Sequence, residues 1–300
     1  MANLKEVRDR ISSIKSTMQI TKAMKMVSAA KLRRAQQAIV QMRPYSIKQN
    51  SMLSNIVSNL SGEVEISYAQ ERPETNVLIV VVTSNRGLCG AFNSFINKEA
   101  VKLIEKYAPQ REAGNLSMMF IGKKGYDYFK SRYKGINFIT DNVALFEDLS
   151  FGNTALVSQA IMDSFSDKTY DKIKVAYGEF KNAAVQYYKT EQFLPIQKVE
   201  PEVTEDDDSK DGQNALFIFE PSANELLEHM VPSILKTQFH KYLLDTHASE
   251  HGARMTAMDK ATENADDLLK ELKIDYNKAR QEAITREISE IVGGVAALEG

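Results

Sequence analysis

The 300-residue chain is long enough for about two domains and a substantial core. Charged residues make up 26% and the net charge is −2, which excludes a protein that holds nucleic acid through overall positive charge. The single cysteine, Cys89, excludes an intrachain disulfide and a cysteine-rich metal site, and no run of about 18 apolar residues is present to span a membrane.

Taken in chain order, the residues Met1 to Glu6 lack the charged-then-apolar layout of a signal peptide, and their acidic residue is unlike a transit peptide. The expectation is a soluble protein of a reducing compartment. Residues 3–43 predict one helix, with Asn3 as N-cap and Glu6 three places on. Leu4, Val7, Ile11, Ile14 and Met18 recur at steps of three and four, the heptad rhythm of a coiled coil. Pro44 predicts a kink, residues 46–60 resume the helix, and Gly62 ends it.

The rhythm then changes. The β-branched run Val77 to Thr83 predicts a strand buried on both faces. A turn from Ser84 to Gly90 leads into a helix from Phe92 to Tyr107. Further strands are expected at 117–121 and 137–139, helices at 123–133 and 154–166, and a hairpin of strands at 173–177 and 185–189. Alternating strand and helix implies a small α/β sheet with helices on its faces. Residues 200–214 are acidic and polar and predict a mobile loop. From Pro221 to Leu298 the pattern is helical, with Pro232 and Gly252 as weak points. Ala265, Leu269, Leu272, Tyr276, Ala279 and Ala283 repeat the heptad.

The predicted fold is therefore mixed α/β. An antiparallel two-helix coiled coil formed by residues 1–60 and 221–300, one discontinuous unit, is interrupted by a Rossmann-like α/β domain at 76–195 and an acidic connection at 196–220. Nothing predicts a catalytic centre, cofactor or metal. The turn Asn85 to Asn93 follows a strand and opens a helix, as a phosphate cradle does. It lacks both the Lys-Ser/Thr of a Walker loop and the third glycine of the dinucleotide pattern, so it reads as a structural turn, with a partner-docking loop or a nucleotide site as the alternatives. Cys89 reads as packed, because every histidine lies far away in the C-terminal helix. Of these, only His247 and His251 can share a helix face, without the zinc-protease order around Glu250. The basic stretch Lys22 to Arg34 has no interleaved aromatic; it reads as a solvated face or as a surface for acidic protein partners. The final apolar residues, Ile288, Ile291, Val292, Val295 and Leu298, outrun any N-terminal partner helix and predict a tip received by another protein.

Four segments, in order from end to end, carry a family resemblance: Ile20 to Leu32, Ser84 to Asn93, Ser249 to Met258 and Tyr276 to Thr285. Together they resemble the gamma subunits of F-type ATP synthases. Asn85 stands where many members carry Asp, and Gly252 replaces a usual small helix former. The resemblance implies a rotor with catalysis left to the partners. Its coiled coil would stand inside a ring of alpha and beta subunits, its α/β domain on the c ring beside epsilon, with no nucleic acid bound. It further implies that Lys22, Lys25, Arg280, Gln281 and Thr285 contact beta subunits, that Met24 and Arg254 take part in coupling, and that the apolar tip sits in a sleeve of the head. The missing transit peptide and missing second cysteine point to a bacterial version on the cytoplasmic face of the inner membrane. The rivals are a nucleotide-binding α/β enzyme and a coiled-coil scaffold or nucleic-acid clamp.

Overall fold

The computed structural model describes residues 4–59, 67–196 and 223–299. Asn3, Gly62, and the acidic stretch 200–214 lie outside the described residues. The helices are α1 (Leu4–Asn59), α2 (Phe92–Lys106), α3 (Ala108–Glu112), α4 (Lys123–Phe129), α5 (Phe151–Ser166) and α6 (Ala223–Glu299). The strands are β1 (Val77–Val82), β2 (Leu116–Ile121), β3 (Asn137–Ile139), β4 (Lys172–Phe180) and β5 (Gln186–Leu194). The chain forms two compact units, Met1–Ala30 with Arg254–Gly300, and Lys31–Ala253.

In the larger unit the strand order is β3-β2-β1-β4-β5. The first four strands are parallel, and β5 runs antiparallel to β4 at one edge. The β1 run is fully buried because helices cover both faces. Leu78, Val80 and Val82 point into a core shared with Val157, Ile161 and Phe165 of α5 and with Leu235, Phe239, Tyr242 and Leu243 of α6. Val77, Ile79 and Val81 point the other way, onto Phe92, Ile96 and Ile104 of α2 and Phe129 of α4. Period-two alternation along one strand thus feeds two cores. The early part of α6, read from its periodicity as half of a helix pair, is also a layer over the sheet.

Several element ends differ from expectation for local reasons. Helix α1 includes Pro44 and continues to Asn59, in keeping with the helix expected to resume after it. Pro44 is exposed there, and next to it the Ser46 hydroxyl donates to the Met42 carbonyl at 3.3 Å. Helix α4 stops at Phe129 rather than Tyr133, because Arg132 and Tyr133 both donate to the Phe129 carbonyl and close the turn. Helix α5 begins at Phe151, earlier than expected, because Asp148 accepts from the Ser150 N–H at 3.2 Å and from the Asn153 amide at 2.8 Å.

Gly252 has a packing reason. A Cβ there would lie 3.3 Å from the Ala183 carbonyl oxygen and 3.4 Å from its Cα. The glycine lets α6 press against the β4–β5 hairpin, so the expected softening of the helix is offset by close contact. Replacing Gly252 with Leu should overpack this contact and destabilise the chain by about 1–3 kcal/mol. A denaturation midpoint equal to that of the parent would count against this role.

Asp245 is buried on α6, only 5% exposed. Burial pushes its carboxyl up to about 7; Lys241 opposes the shift, Glu179 and Glu191 add to it, and Arg43 opposes it. The unfolded chain releases this proton near 3.8. Between those two values the unfolded state binds fewer protons than the folded one, so Asp245 lowers stability as pH rises, and its effect levels off above pH 7. The variant Asp245→Asn should therefore gain stability over the parent between pH 5 and pH 8, reaching on the order of 2–4 kcal/mol. Urea denaturation at both pH values measures it; an advantage that does not grow with pH refutes the assignment.

Candidate functional site

In the smaller unit, α1 and α6 supply a narrow buried seam. Val7 and Thr21 of α1 and Met258, Ala265, Leu269 and Leu272 of α6 are all buried. Leu4, Ile11, Ile14, Met18 and Lys25 are half-buried at the same heptad positions, as are Thr262, Tyr276 and Ala279 on α6. Two contacts fix direction and register. The Thr21 and Thr262 hydroxyls lie 2.8 Å apart, and Lys25 Nζ donates to Asp259 Oδ1 at 2.5 Å. As the position rises on α1 it falls on α6, so the helices run antiparallel. The same register carried to Leu4 reaches Ala279, which is the last described position of α6 that is not exposed. Ala283, expected in the seam, is exposed: it lies beyond Ala279, where the register reaches the first described residue of α1.

The side chains of the Lys25–Asp259 pair are 41% and 59% accessible to solvent, so the pair sets register more than it stabilises, at about 0–1 kcal/mol. Most of the seam's free energy comes from apolar burial, at about 1.5–3 kcal/mol for each large side chain removed from water. Thr21, Lys25 and Ser28 belong to the seam although their polarity hides them in the apolar pattern. Their three-and-four spacing continuing from Met18 was the signal.

The predicted contact residues separate into two groups. Lys22 is exposed and Met24 half-buried on α1, while Arg254 is buried at 7% exposure on α6. Arg280, Gln281 and Thr285 are exposed, about 40 Å further along α6 from Arg254 at 1.5 Å per residue. Beyond them Ile288, Ile291, Val292 and Val295 are 50–66% exposed. Leu298 lies within α6, and its side chain is outside the described residues.

In the larger unit, the sheet reverses its winding between β1 and β4, where α/β sheets commonly hold a ligand. Here that crevice is filled from within. The Thr246 hydroxyl accepts from the Gly178 N–H at 3.3 Å, and the Ser249 hydroxyl donates to the Gly178 carbonyl at 3.2 Å. A Cβ on Gly178 would also meet the Phe92 ring at 3.0 Å. The glycine-rich turn is tied down by its own side chains. Asn93 Oδ1 accepts from the Ser84 N–H at 3.0 Å, and Asn93 Nδ2 donates to Cys89 Sγ at 3.2 Å. Cys89 is buried, as expected of a packed thiol. Asn85 Oδ1 accepts from the Lys123 N–H at 3.2 Å, a bond that an Asp oxygen makes equally well. Leu88 is held outward, 64% exposed with φ 63°.

His240 and His251 are buried and His247 half-buried, while His229 is exposed. His240 Nδ1 lies 2.9 Å from the Thr154 hydroxyl between α6 and α5, and burial pushes its pKa down. The His247 and His251 Nε2 atoms are 3.1 Å apart. Among the described residues no group of three or more His, Cys, Asp or Glu side chains is placed to hold a metal ion, and no helix is long and apolar enough to cross a membrane.

The chain matches the family model described as ATP synthase over residues 3–298. It is 50% identical to the ATP synthase gamma chain of Cytophaga hutchinsonii, with 99% of each chain covered. It is also 50% identical to that of Christiangramia forsetii, with all of both chains covered. Among solved structures, a chain of the Euglena gracilis mitochondrial ATP synthase assembly of OSCP, F1 and c-ring shares the fold, with a TM-score of 0.61 at 21% identity. That match covers 98% of this chain and 94% of the other. A chain of the Tetrahymena thermophila central stalk and c-ring aligns with a TM-score of 0.53 at 22% identity, covering 81% of this chain and 99% of that one. With a family match and full-length relatives that agree from the first helix to the last, the chain belongs to the ATP synthase gamma chain family.

Proposed function

We propose that the chain is the central rotor shaft of a bacterial F-type ATP synthase, coupling rotation of a membrane c ring to nucleotide chemistry in an alpha/beta head. The reading rests above all on the bare end of α6. Every described position after Ala279 whose side chain is described is exposed, and the large apolar residues among them are covered by none of the described residues. Such a tip needs a socket, and the head of the complex supplies one. The antiparallel seam acts as a two-stranded coiled coil that transmits torque, with residues 1–60 and 221–300 as shaft and 76–195 as the base over the c ring beside epsilon. Leu88, held outward on the turn after β1, fits a docking role for that base.

The chain itself is not a catalyst. Phe92, Thr246 and Ser249 pack against Gly178 in its α/β crevice, which argues against a nucleotide cradle there. Its contribution is asymmetry. One shaft meets three chemically identical sites on different faces, so its interaction free energy differs from site to site and so does their nucleotide affinity. Exposed Lys22, Arg280, Gln281 and Thr285, with Lys25, Met24 and Arg254 along the same shaft, are the contacts assigned to beta subunits and to coupling. Single charges and a methionine are strong enough to bias a site and weak enough to release at each step. Association with the cytoplasmic face of the membrane follows through the partners alone.

Leu269 and Leu272 anchor the seam. Replacing both with Gly in the reconstituted complex removes about 2–5 kcal/mol of packing at each position and adds about 1 kcal/mol of helix penalty. Proton pumping should fall well before ATP hydrolysis does; pumping retained at normal turnover would contradict a torque-bearing seam. A second check is the purified chain alone, which should hydrolyse no ATP, whereas turnover by clean monomer would point to the α/β enzyme instead.

A further inference from the structure

The His247–His251 pair is used by none of the contacts assigned to the shaft. The two residues are one helical turn apart on α6. Their Nε2 atoms lie 3.1 Å apart, with ring centroids at 4.5 Å and ring planes at 84°. Phe146 stacks on the His247 ring at 5.9 Å and 16°, which holds that ring in place. His251 is 5% exposed and His247 half-buried, so the pair is fixed on one side and reaches solvent on the other.

Two imidazole nitrogens bound to one zinc-class ion at about 2.0–2.1 Å, with a bond angle between square and tetrahedral, lie roughly 2.9–3.4 Å apart. The observed separation falls inside that interval. We propose that His247 and His251 form a bidentate site for a divalent transition-metal ion, with Zn(II) the representative ligand. In the metal-free pair one Nε2 carries the hydrogen that bridges the two rings. Binding moves that hydrogen to Nδ1 of the same ring, so both Nε2 lone pairs turn to the ion and the net charge of the rings is unchanged. Neutral imidazole suits zinc, copper and nickel. With no third protein ligand of the His, Cys, Asp or Glu type among the described residues, water completes the coordination and the ion exchanges readily. A bound ion clips one turn of α6 beside the loop that carries Phe146, a local brace independent of the rotor reading.

The test is calorimetric titration of the purified full-length chain with Zn(II) at pH 7.5. The expected result is one ion per chain, with affinity at least tenfold lower in His247→Ala and in His251→Ala and unchanged in His229→Ala. Binding should also weaken as the pH is lowered, because protons compete with the ion for the same ring nitrogens. Cu(II) added to the parent should show two coupled nitrogens by electron paramagnetic resonance, and one fewer in either variant. If circular dichroism shows that His251→Ala fails to fold, the half-buried His247→Ala decides alone. The absence of binding up to 1 mM Zn(II), or binding that His247→Ala leaves within twofold of the parent, overturns the site.

Discussion

Helix α6 supplies the buried face of both units, and the rest of the structure depends on it. Leu235, Phe239, Tyr242 and Leu243 close the core over one face of the sheet. Further along the same helix, Met258, Ala265, Leu269 and Leu272 are buried in the seam with α1. Neither burial is optional. A five-stranded sheet with β-branched residues on both faces needs two covering layers, and a lone helix with a two-in-seven apolar stripe needs a partner. The helix answers each need with a different stretch of residues.

Its passage over the sheet also decides what the α/β unit cannot do. A doubly wound sheet usually leaves a crevice where its winding reverses. Here Thr246 and Ser249 spend their hydroxyls on the Gly178 backbone, and Phe92 stands against the same glycine. The same close approach is repeated at Gly252 against Ala183. Two glycines, one on the strand and one on the helix, allow backbones to come near enough for side chains to plug the space. The space that a nucleotide-binding fold commonly leaves open is here taken up by side chains of the chain itself.

Much of this was legible in the residues. The strand Val77 to Val82 announced itself as an unbroken β-branched run, and the hairpin as alternation on either side of a polar turn. The two heptads gave the seam, although Ala283, expected in it, lies beyond the position that the first described residue of the partner helix reaches. What periodicity could not reveal was the identity of the surface that each stripe meets. An apolar stripe at 231–249 fits a helix or a sheet equally well, and only tertiary contact distinguishes them. The polar seam residues Thr21 and Lys25 are hidden in that pattern for a related reason: their partners, Thr262 and Asp259, lie more than two hundred residues away. The assignment of Met24, Arg254 and Arg280 to particular contacts came from family resemblance alone, since a charge on an exposed helix face carries no record of what it touches.

The uncovered end of α6 has a consequence for the life of the chain before it reaches its complex. A fresh copy displays a row of isoleucines and valines to water, the kind of feature that recruits holdase chaperones and proteases. On the proposed reading, in which a socket covers these residues, orphan copies are marked for removal by the residues that assembly would conceal. Under that proposal, production of the chain in step with its partners becomes a matter of triage, in which copies whose tip is covered persist and the surplus is cleared.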